Sequence, residues 1–269
     1  MSTLILFVLV ANKLACVKML RKTILLQMII LTIFKMSSIA SMTTYRFVEN
    51  SHESEFSMVF LSKDSTVLLP DMFILCTSHK QIRMNNKGFY QVYGEDGNPW
   101  MSTKFHTVSG THNGISLWGG FGEKWVFLGD IDEPKLFFWY HVCLKVDTIR
   151  GVISVSINGK TLSDEVQVAS LQKNKPEKLG GHIALGKSEK LKATGIYAEE
   201  QFHGFISNVN LYSYNNLSID QLSDRPCQSE GDLLQWSSPL WKLHGSEANV
   251  IVSDENVCNG QNRSQAHVN

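Results

Sequence analysis

The sequence of 269 residues predicts an all-β protein whose strands form an antiparallel sandwich. Short apolar or alternating runs follow one another through residues 45–227, without the longer period of an amphipathic helix. Turn residues separate these runs, and Asn158-Gly159 is the strongest hairpin signal because both positions of such a turn need a positive φ. A domain of this length buries enough apolar surface between two sheets to form a sizeable core.

The individual elements follow from these runs in chain order. Strands are predicted at residues 56–61, 72–76, 88–92, 114–118, 124–128, 136–146, 152–157, 166–168, 182–185 and 205–212. Turns are predicted at residues 94–99, 119–120, 158–159 and 180–181. The glycines near residue 120 lack the spacing and the helix of a phosphate-binding loop, so a turn is the better interpretation. Residues 217–222 predict a short helix whose N-cap is Ser218.

The chain changes character after Cys227. Residues 228–258 contain Trp236 and Trp241 and end at another cysteine, which predicts a short tail packed on the sandwich or on a neighbour. The tail is too short to form a core of its own. Residues 259–269 are mostly polar, and we expect them to be disordered because they offer little surface to bury.

Residues 1–40 have the features of a secretory signal segment. The basic pair Arg21-Lys22 precedes a twelve-residue apolar stretch at 23–34, and small residues at 38–40 suit a cleavage site. Twelve residues are too few to span about 30 Å of hydrocarbon, which favours a cleaved signal and a secreted protein. Residues 1–18 are interpreted as an extension from an upstream start. The alternative is an uncleaved signal anchor that holds the protein on a membrane.

The distribution of charge argues against one class of partner. The whole chain carries 25 basic and 25 acidic residues, but residues 1–40 contain five of the basic ones and no acid. The remainder is therefore net acidic and contains no stripe of lysine and arginine. This composition excludes a nucleic-acid-binding surface.

The cysteine count agrees with an oxidising compartment. Removal of the signal segment discards Cys16 and leaves four cysteines, Cys76, Cys143, Cys227 and Cys258. An even number is typical of secreted proteins with disulfides, and four cysteines allow three connectivities. Acceptor sequons for N-glycosylation at Asn216 and Asn262 point to the same compartment.

Residues 139–222 contain a series of motifs in a characteristic order. Trp139-Tyr-His-Val-Cys143 comes first, Gly181-His-Ile-Ala-Leu-Gly186 follows, and Gly204-Phe-Ile-Ser-Asn-Val209 comes last. This order resembles the pentraxin branch of the laminin-G and concanavalin A-like jelly rolls, over roughly Tyr45 to Cys227. Lys145 and Val146 stand where the family usually has Ser or Thr and then Trp, so the resemblance is to a divergent member.

The resemblance implies a jelly-roll sandwich with a disulfide between Cys76 and Cys143, which leaves Cys227 to pair with Cys258. It also implies a non-catalytic recognition domain that binds an extracellular glycan, lipid head group or protein through loops at one edge or face. Homo-oligomers are a further implication. An ectodomain module of a membrane-anchored receptor or adhesion protein is the alternative to a secreted form.

Calcium is the cofactor that the resemblance suggests. Glu95, Asp96 and Asn98 match the acid-amide loop of the family, and Glu200 matches a later ligand. Between them, the segment Lys187-Ser-Glu189-Lys190 replaces an acid-amide-acid run. Because Ca²⁺ needs about six to eight oxygens, the two lysines weaken this site. We therefore expect no required cofactor and at most a partial calcium site, whose ligands would be Glu95, Asp96, Asn98, Glu189 and Glu200.

Two further groups of residues have side chains that could take part in chemistry. Asp130 and Asp132 have the spacing of two carboxylates on one face of a strand, as in jelly-roll glucanases, but the third acid of that pattern is missing. A hydrolase is therefore the less favoured alternative, and we predict no catalytic residues. His141 lies two residues from Trp139 and from Cys143, which favours a buried structural histidine.

Overall fold

A computed structural model describes residues 42–47, 58–82, 88–107, 115–122, 124–131, 136–188, 200–214, 217–244, 250–255 and 257. The strands within these residues are β1 Met42–Phe47, β2 Met58–Leu61, β3 Met72–Gln81, β4 Gly88–Tyr93, β5 Pro99–Thr107, β6 Ile115–Phe121, β7 Lys124–Ile131, β8 Trp139–Asp147, β9 Val152–Ile157, β10 Lys160–Gln167, β11 Ile183–Leu185, β12 Lys187–Ser188, β13 Glu200–Gln201, β14 Gly204–Ser213, β15 Trp241–His244 and β16 Val250–Glu255. A 3-10 helix at Ala169–Gln172 and the helix α1 at Ile219–Asp224 complete the elements.

The strands form two antiparallel sheets that pack face to face. Sheet A has the order β10-β9-β8-β3-β14-β1-β16, and sheet B has the order β15-β2-β11-β4-β5-β6-β7. The strands β12 and β13 form a separate two-stranded ribbon. The prediction of an all-β antiparallel jelly-roll sandwich is therefore confirmed.

The core lies between the two sheets because side chains alternate along each strand. In β8, Val142, Leu144 and Val146 point into the core, where each is at most 1% exposed. Phenylalanines from both sheets fill much of the same layer, including Phe73 of sheet A and Phe121 of sheet B. Burial of each such side chain contributes roughly 1.5–3 kcal/mol to the free energy of unfolding.

The outer face of sheet A carries the predicted disulfide. Cys76 and Cys143 are directly opposite each other in the pairing of β3 with β8, and a disulfide joins them. The helix α1 covers this face, and its Leu222 packs in the same buried cluster as the two cysteines. The 67-residue separation of the cysteines would contribute about 4 kcal/mol in the chain-entropy model.

Two local predictions are confirmed. Asn158 and Gly159 have φ values of 49° and 80° and connect β9 to β10, as an Asn-Gly hairpin requires. Ser218 is the N-cap of α1, and its Oγ accepts a hydrogen bond from the backbone N–H of Gln221.

Other elements differ from the prediction. β5 was not predicted, and Gly119 and Gly120 lie inside β6 instead of in a turn, which comes at Gly122. The reason is packing: a Cβ on Gly119 would lie 2.4 Å from the Phe121 ring, and one on Gly120 would lie 2.6 Å from the Ser102 Oγ. The glycines thus permit close approach within a strand.

The segment after Cys227 does more than pack on the sandwich. It adds β15 to the edge of sheet B and β16 to the edge of sheet A, next to β1. Trp236 is buried, and its Nε1 donates a hydrogen bond to the Thr43 carbonyl oxygen. The strands of the sandwich therefore extend from Met42 to Glu255, beyond the predicted span of 45–227.

Several predictions lie outside the described residues. They concern the signal segment 1–40, the terminal residues 259–269, Asp132, Glu189, Cys258 and the sequons at Asn216 and Asn262. Cys227 takes part in a disulfide, but its expected partner is among these residues, so the pairing stays a prediction. In the part of the chain that the structure describes, no helix is long and apolar enough to cross a membrane.

Candidate functional site

The outer face of sheet B at its β5-β6-β7 edge carries a group of half-buried and exposed aromatic side chains. Lys104 lies opposite Trp118 in the pairing of β5 with β6, and Trp118 lies opposite Phe127 in the pairing of β6 with β7. Their inward neighbours, such as Phe105 and Leu117, fill the core. We call the outward set, which consists of Lys104, His106, Trp118, Trp125 and Phe127, the aromatic face.

Ring contacts and hydrogen bonds hold Trp118 in the middle of the aromatic face. Its ring meets the Phe127 ring edge to face, with centroids 5.7 Å apart, and the His106 ring lies 6.1 Å away. The Trp118 Nε1 donates to the Ser116 Oγ at 2.9 Å, and this hydroxyl donates to the His106 carbonyl oxygen. The indole is therefore fixed in orientation, as a preformed contact surface requires.

Trp125 is positioned by Lys104 and Gly120. The Lys104 Nζ lies 3.8 Å from the centroid of the Trp125 ring, and a Cβ on Gly120 would lie within 3.2 Å of the indole. The ring therefore lies close over the glycine. Trp125 is 44% exposed and Phe127 is 47% exposed, which is unusual for aromatic side chains of their size.

This arrangement suits recognition of a flat ligand with both apolar and polar groups. Exposed aromatic rings bury large areas at a small cost in conformational entropy. The polar side chains Lys104 and His106 lie beside the rings and can bond to hydroxyl or anionic groups. An aromatic surface on the rigid strands of a sheet is also well defined in position.

The predicted calcium loop forms a compact turn that is held by its own side chains. The two carboxylate oxygens of Asp96 accept hydrogen bonds from the Asn98 backbone N–H and side-chain amide, both at 3.0 Å. The Asn174 side-chain amide donates to Asp96 at 2.9 Å, and the Glu95 carboxylate accepts from the Glu177 backbone N–H. The pKa of Asp96 is lowered, first by the bond from the Asn98 backbone and then by its side chain.

The register of sheet B separates this turn from Glu200, another predicted calcium ligand. Ile183 pairs with Val92 near the turn, whereas Leu185 pairs with Tyr90, and the chain then continues to the β12-β13 ribbon. Glu200 lies in that ribbon, beyond the opposite end of β4. Six strand residues span about 20 Å, so the backbone of the turn and that of the ribbon are far apart. Among the described residues, no three His, Cys, Asp or Glu side chains are grouped as a metal site.

The remaining candidates have distinct positions. Asp130 is exposed and lies opposite Ser116 at the end of β7, while Asp132 is outside the described residues. His141 is buried, as predicted, and bonds to the Ser78 Oγ at 2.7 Å. Burial lowers the pKa of His141 to about 4. A neutral, enclosed imidazole of this kind is a structural group and lies on the other sheet from the aromatic face.

Solved structures show which fold this arrangement belongs to. A heptameric SAP-like pentraxin from Limulus polyphemus superposes with a TM-score of 0.64 over 81% of this chain and 97% of that one, at 17% identity. The chain has the pentraxin fold. The full extracellular region of zebrafish Gpr126/Adgrg6 is also similar, with a TM-score of 0.52 over 78% of this chain and 26% of that one, at 15% identity.

The description of one sequence relative also contains the word pentraxin. It is the rat protein "Sushi, von Willebrand factor type A, EGF and pentraxin domain-containing protein 1", which is 27% identical over 174 residues. The match covers 61% of this chain but only 4% of the relative's length. No protein-family model matches the chain. The pentraxin fold is thus well supported, whereas its ligand must be inferred from the residues of this chain.

Proposed function

We propose that this protein is a non-catalytic extracellular recognition domain and that its aromatic face binds a glycan. The observation that carries the proposal is the outward, exposed pair Trp125 and Phe127 beside Trp118 and Lys104. A sugar ring presents apolar C–H groups on one face and hydroxyls at its rim. Aromatic rings would contact that face, and the lysine would bond to hydroxyl or acidic groups at the rim.

Two other classes of ligand are alternatives to a glycan, and the array experiment described below distinguishes them. A lipid head group would need an anionic or cationic subsite, and a protein partner would need a larger area than the three rings supply. A glucanase-type hydrolase would need a second carboxylate at a defined distance from Asp130. The exposed aromatic surface favours the glycan over these alternatives, because three rings beside a lysine match the apolar face and the polar rim of a sugar.

The extracellular setting is part of the proposal. The Cys76–Cys143 disulfide and the likeness to the Gpr126/Adgrg6 extracellular region support it. Secretion after cleavage near residue 40 is the form that we propose, and an ectodomain held by a signal anchor is the second candidate. Sequencing the N-terminus of secreted material separates them: a start between residues 40 and 43 supports the first form, and a start before residue 34 supports the second.

The proposal also includes assembly into rings, because the Limulus pentraxin is a heptamer. Several identical aromatic faces on one particle would raise the avidity for a repeated glycan without any new contact. Sedimentation velocity of the secreted protein measures its oligomeric state directly. A monomer at micromolar concentration would contradict ring assembly. It would not contradict glycan binding by the aromatic face.

The ligand is tested with a glycan array and a phospholipid array, both probed with the secreted protein in calcium and in EGTA. We expect selective binding to glycans, with little difference between the two buffers. Binding to lipids alone, or to no glycan, would contradict the proposal. A release of reducing ends that is lost in Asp130→Asn would instead support the hydrolase.

A further inference from the structure

A cavity of about 710 Å³ lies at one end of the sandwich, apart from the aromatic face. It opens where the turn at residues 94–98, the β6-β7 turn and the segment 168–174 meet. Its lining residues are Asp96, Asn98, Pro99, Trp100, Phe121, Gly122, Lys124, Val126, Gln167, Val168, Ala169, Ser170, Lys173 and Asn174. This volume lies within the range of small-molecule sites, which is roughly 300–1,000 Å³.

The walls of the cavity are joined by hydrogen bonds and are therefore preformed. The Trp100 Nε1 donates to the Leu171 carbonyl oxygen at 3.3 Å, and the Ser170 Oγ donates to the Phe121 carbonyl oxygen at 3.0 Å. The Asn174 amide donates to the Asp96 carboxylate at 2.9 Å. Each bond connects the segment 168–174 to sheet B or to its β4-β5 turn, so a ligand would not have to order these walls when it binds.

The lining combines an apolar base with a polar, positively charged rim. The base that a ligand can contact consists of the half-buried Pro99 and Val126 and of Ala169, because Trp100 and Phe121 are only 2% and 0% exposed. At the rim, Lys124 and Lys173 are the cationic residues, and Asp96 is the one acid among the described residues of the lining. Its carboxylate already accepts hydrogen bonds from two amides and one backbone N–H. The side-chain amides of Asn98 and Asn174 each donate one N–H to Asp96, and their carbonyl oxygens can accept from hydroxyls.

We propose that this cavity binds a hexose-sized monosaccharide that carries one acidic group. The sugar ring would lie against the apolar base, the two ammonium groups would hold the acidic group, and the asparagine amides would accept from its hydroxyls. A metal ion is disfavoured here because the two lysines repel it. The acidic group could be a carboxylate or a phosphate, and the experiment distinguishes them.

The test measures binding of four probes by isothermal titration calorimetry: glucuronate, glucose 6-phosphate, glucose and inorganic phosphate. We expect one of the two acidic sugars to bind at least about tenfold more tightly than glucose and than inorganic phosphate, which corresponds to about 1.4 kcal/mol. Lys124→Gln/Lys173→Gln should remove that preference, while the matched control Lys178→Gln, an exposed lysine outside the lining, should keep it. Equal binding of acidic and neutral sugars, or phosphate as tight as either acidic sugar, would overturn the proposal.

Two further variants test whether this site is separate from the aromatic face. Trp125→Ala should leave binding of the acidic sugar unchanged, since Trp125 does not line the cavity. Ala169→Leu adds volume inside the lining and should block the acidic sugar without removing any charge. Its folding is checked by thermal unfolding, and the smaller Ala169→Val replaces it if the leucine prevents folding. Loss of acidic-sugar binding in Trp125→Ala would show that the two surfaces are one site and would overturn the proposal.

Discussion

The ammonium group of Lys104 in β5 lies 3.8 Å from the centroid of the Trp125 ring in β7, across the intervening strand β6. This contact fixes a large, 44% exposed indole on the outer face of sheet B. Sheet A has a comparable pair on its own outer side, Lys145 and Tyr214, with 4.5 Å between the ammonium nitrogen and the ring centroid. The two pairs differ in their surroundings, because among the described residues Trp125 has further exposed or half-buried rings on its face, and Tyr214 has none in ring contact. Lys145 and Tyr214 therefore provide matched control positions for Lys104 and Trp125.

Lys104→Met should weaken glycan binding by a few-fold. The cation–π contact at an exposed site is worth roughly 0.5–1 kcal/mol, and methionine keeps most of the aliphatic stem but not the charge. Affinity for the array-selected glycan is measured by calorimetry. Lys145→Met is the control and should bind like the native protein, and a similar loss in both variants would contradict a specific role for Lys104.

Acid should destabilise the protein through His79. This side chain is buried on the core side of β3, its ring stacks on Phe89 at 4.0 Å, and neither ring nitrogen has a hydrogen-bond partner among the described residues. Burial lowers the pKa of His79 well below its usual value, and electrostatic repulsion by His141, when that ring is protonated, lowers it further. The folded state therefore binds fewer protons than the unfolded state below pH of about 6.5. Protonation of His79 therefore does not affect the free energy of unfolding above that pH, and the free energy of unfolding falls as the pH decreases below it.

The measurement is the free energy of unfolding in urea at pH 7 and at pH 5. The slope contributed by one such histidine is at most about 1.4 kcal/mol per pH unit. His79→Leu should be more stable than the native protein at pH 5, because an unpaired buried imidazole is replaced by an apolar side chain. A variant with the same acid sensitivity as the native protein would show that the decrease comes from other groups, such as His141.

Removal of the Cys76–Cys143 disulfide should cost about 4 kcal/mol and reduce secretion strongly. Non-reduced peptide mapping should join the two cysteine peptides. Cys143→Ser leaves an unpaired thiol in the cluster under α1, whereas Cys76→Ala/Cys143→Ala removes both thiols. We expect both variants to be impaired, since the crosslink is lost in each. Normal secretion of the double variant would mean that only the stray thiol is harmful.

Calcium should have a small effect on stability. The Asp96 carboxylate already accepts three hydrogen bonds, and the turn at 94–98 is far along β4 from the ribbon that contains Glu200. A site of millimolar affinity in ~2 mM calcium adds less than about 1 kcal/mol, which is roughly 2–4 °C in Tm. Thermal unfolding in calcium and in EGTA checks this. A rise of more than about 8 °C that is lost in Asp96→Ala would contradict it.

The sequence predicted the fold class well because strong local signals mark several elements. Asn158-Gly159 and Ser218 each act within a few residues of the chain, and the structure has both as expected. β5 was missed because Ser102, Thr103 and Lys104 follow Pro99 and resemble a loop, although their pairing with β6 is regular. The edge strands β15 and β16 were missed because their pairing partners are distant in sequence.

The candidate site was harder to predict. The pairing of β6 with β7 has a register shift between Leu117 and Trp118, so alternation alone does not assign the rings to one face. The spacing of Trp125 and Phe127, two residues apart in one strand, was the signal that could have indicated a shared face. The predicted calcium ligands were chosen by their order in the sequence. The register of β4 with β11 places the turn of Glu95, Asp96 and Asn98 and the ribbon of Glu200 at opposite ends of β4.

Binding of the glycan by the aromatic face is tested most directly by comparing the affinities of two variants. The dissociation constant of the array-selected glycan is measured for Trp125→Ala/Phe127→Ala and for Tyr214→Ala, with Tm as the check on folding. Loss of two stacking rings should weaken binding by at least about tenfold, given ~0.5–1.5 kcal/mol for each aromatic contact beyond its buried area. Tyr214→Ala should bind like the native protein. Native affinity in the double variant, at an unchanged Tm, would contradict the account.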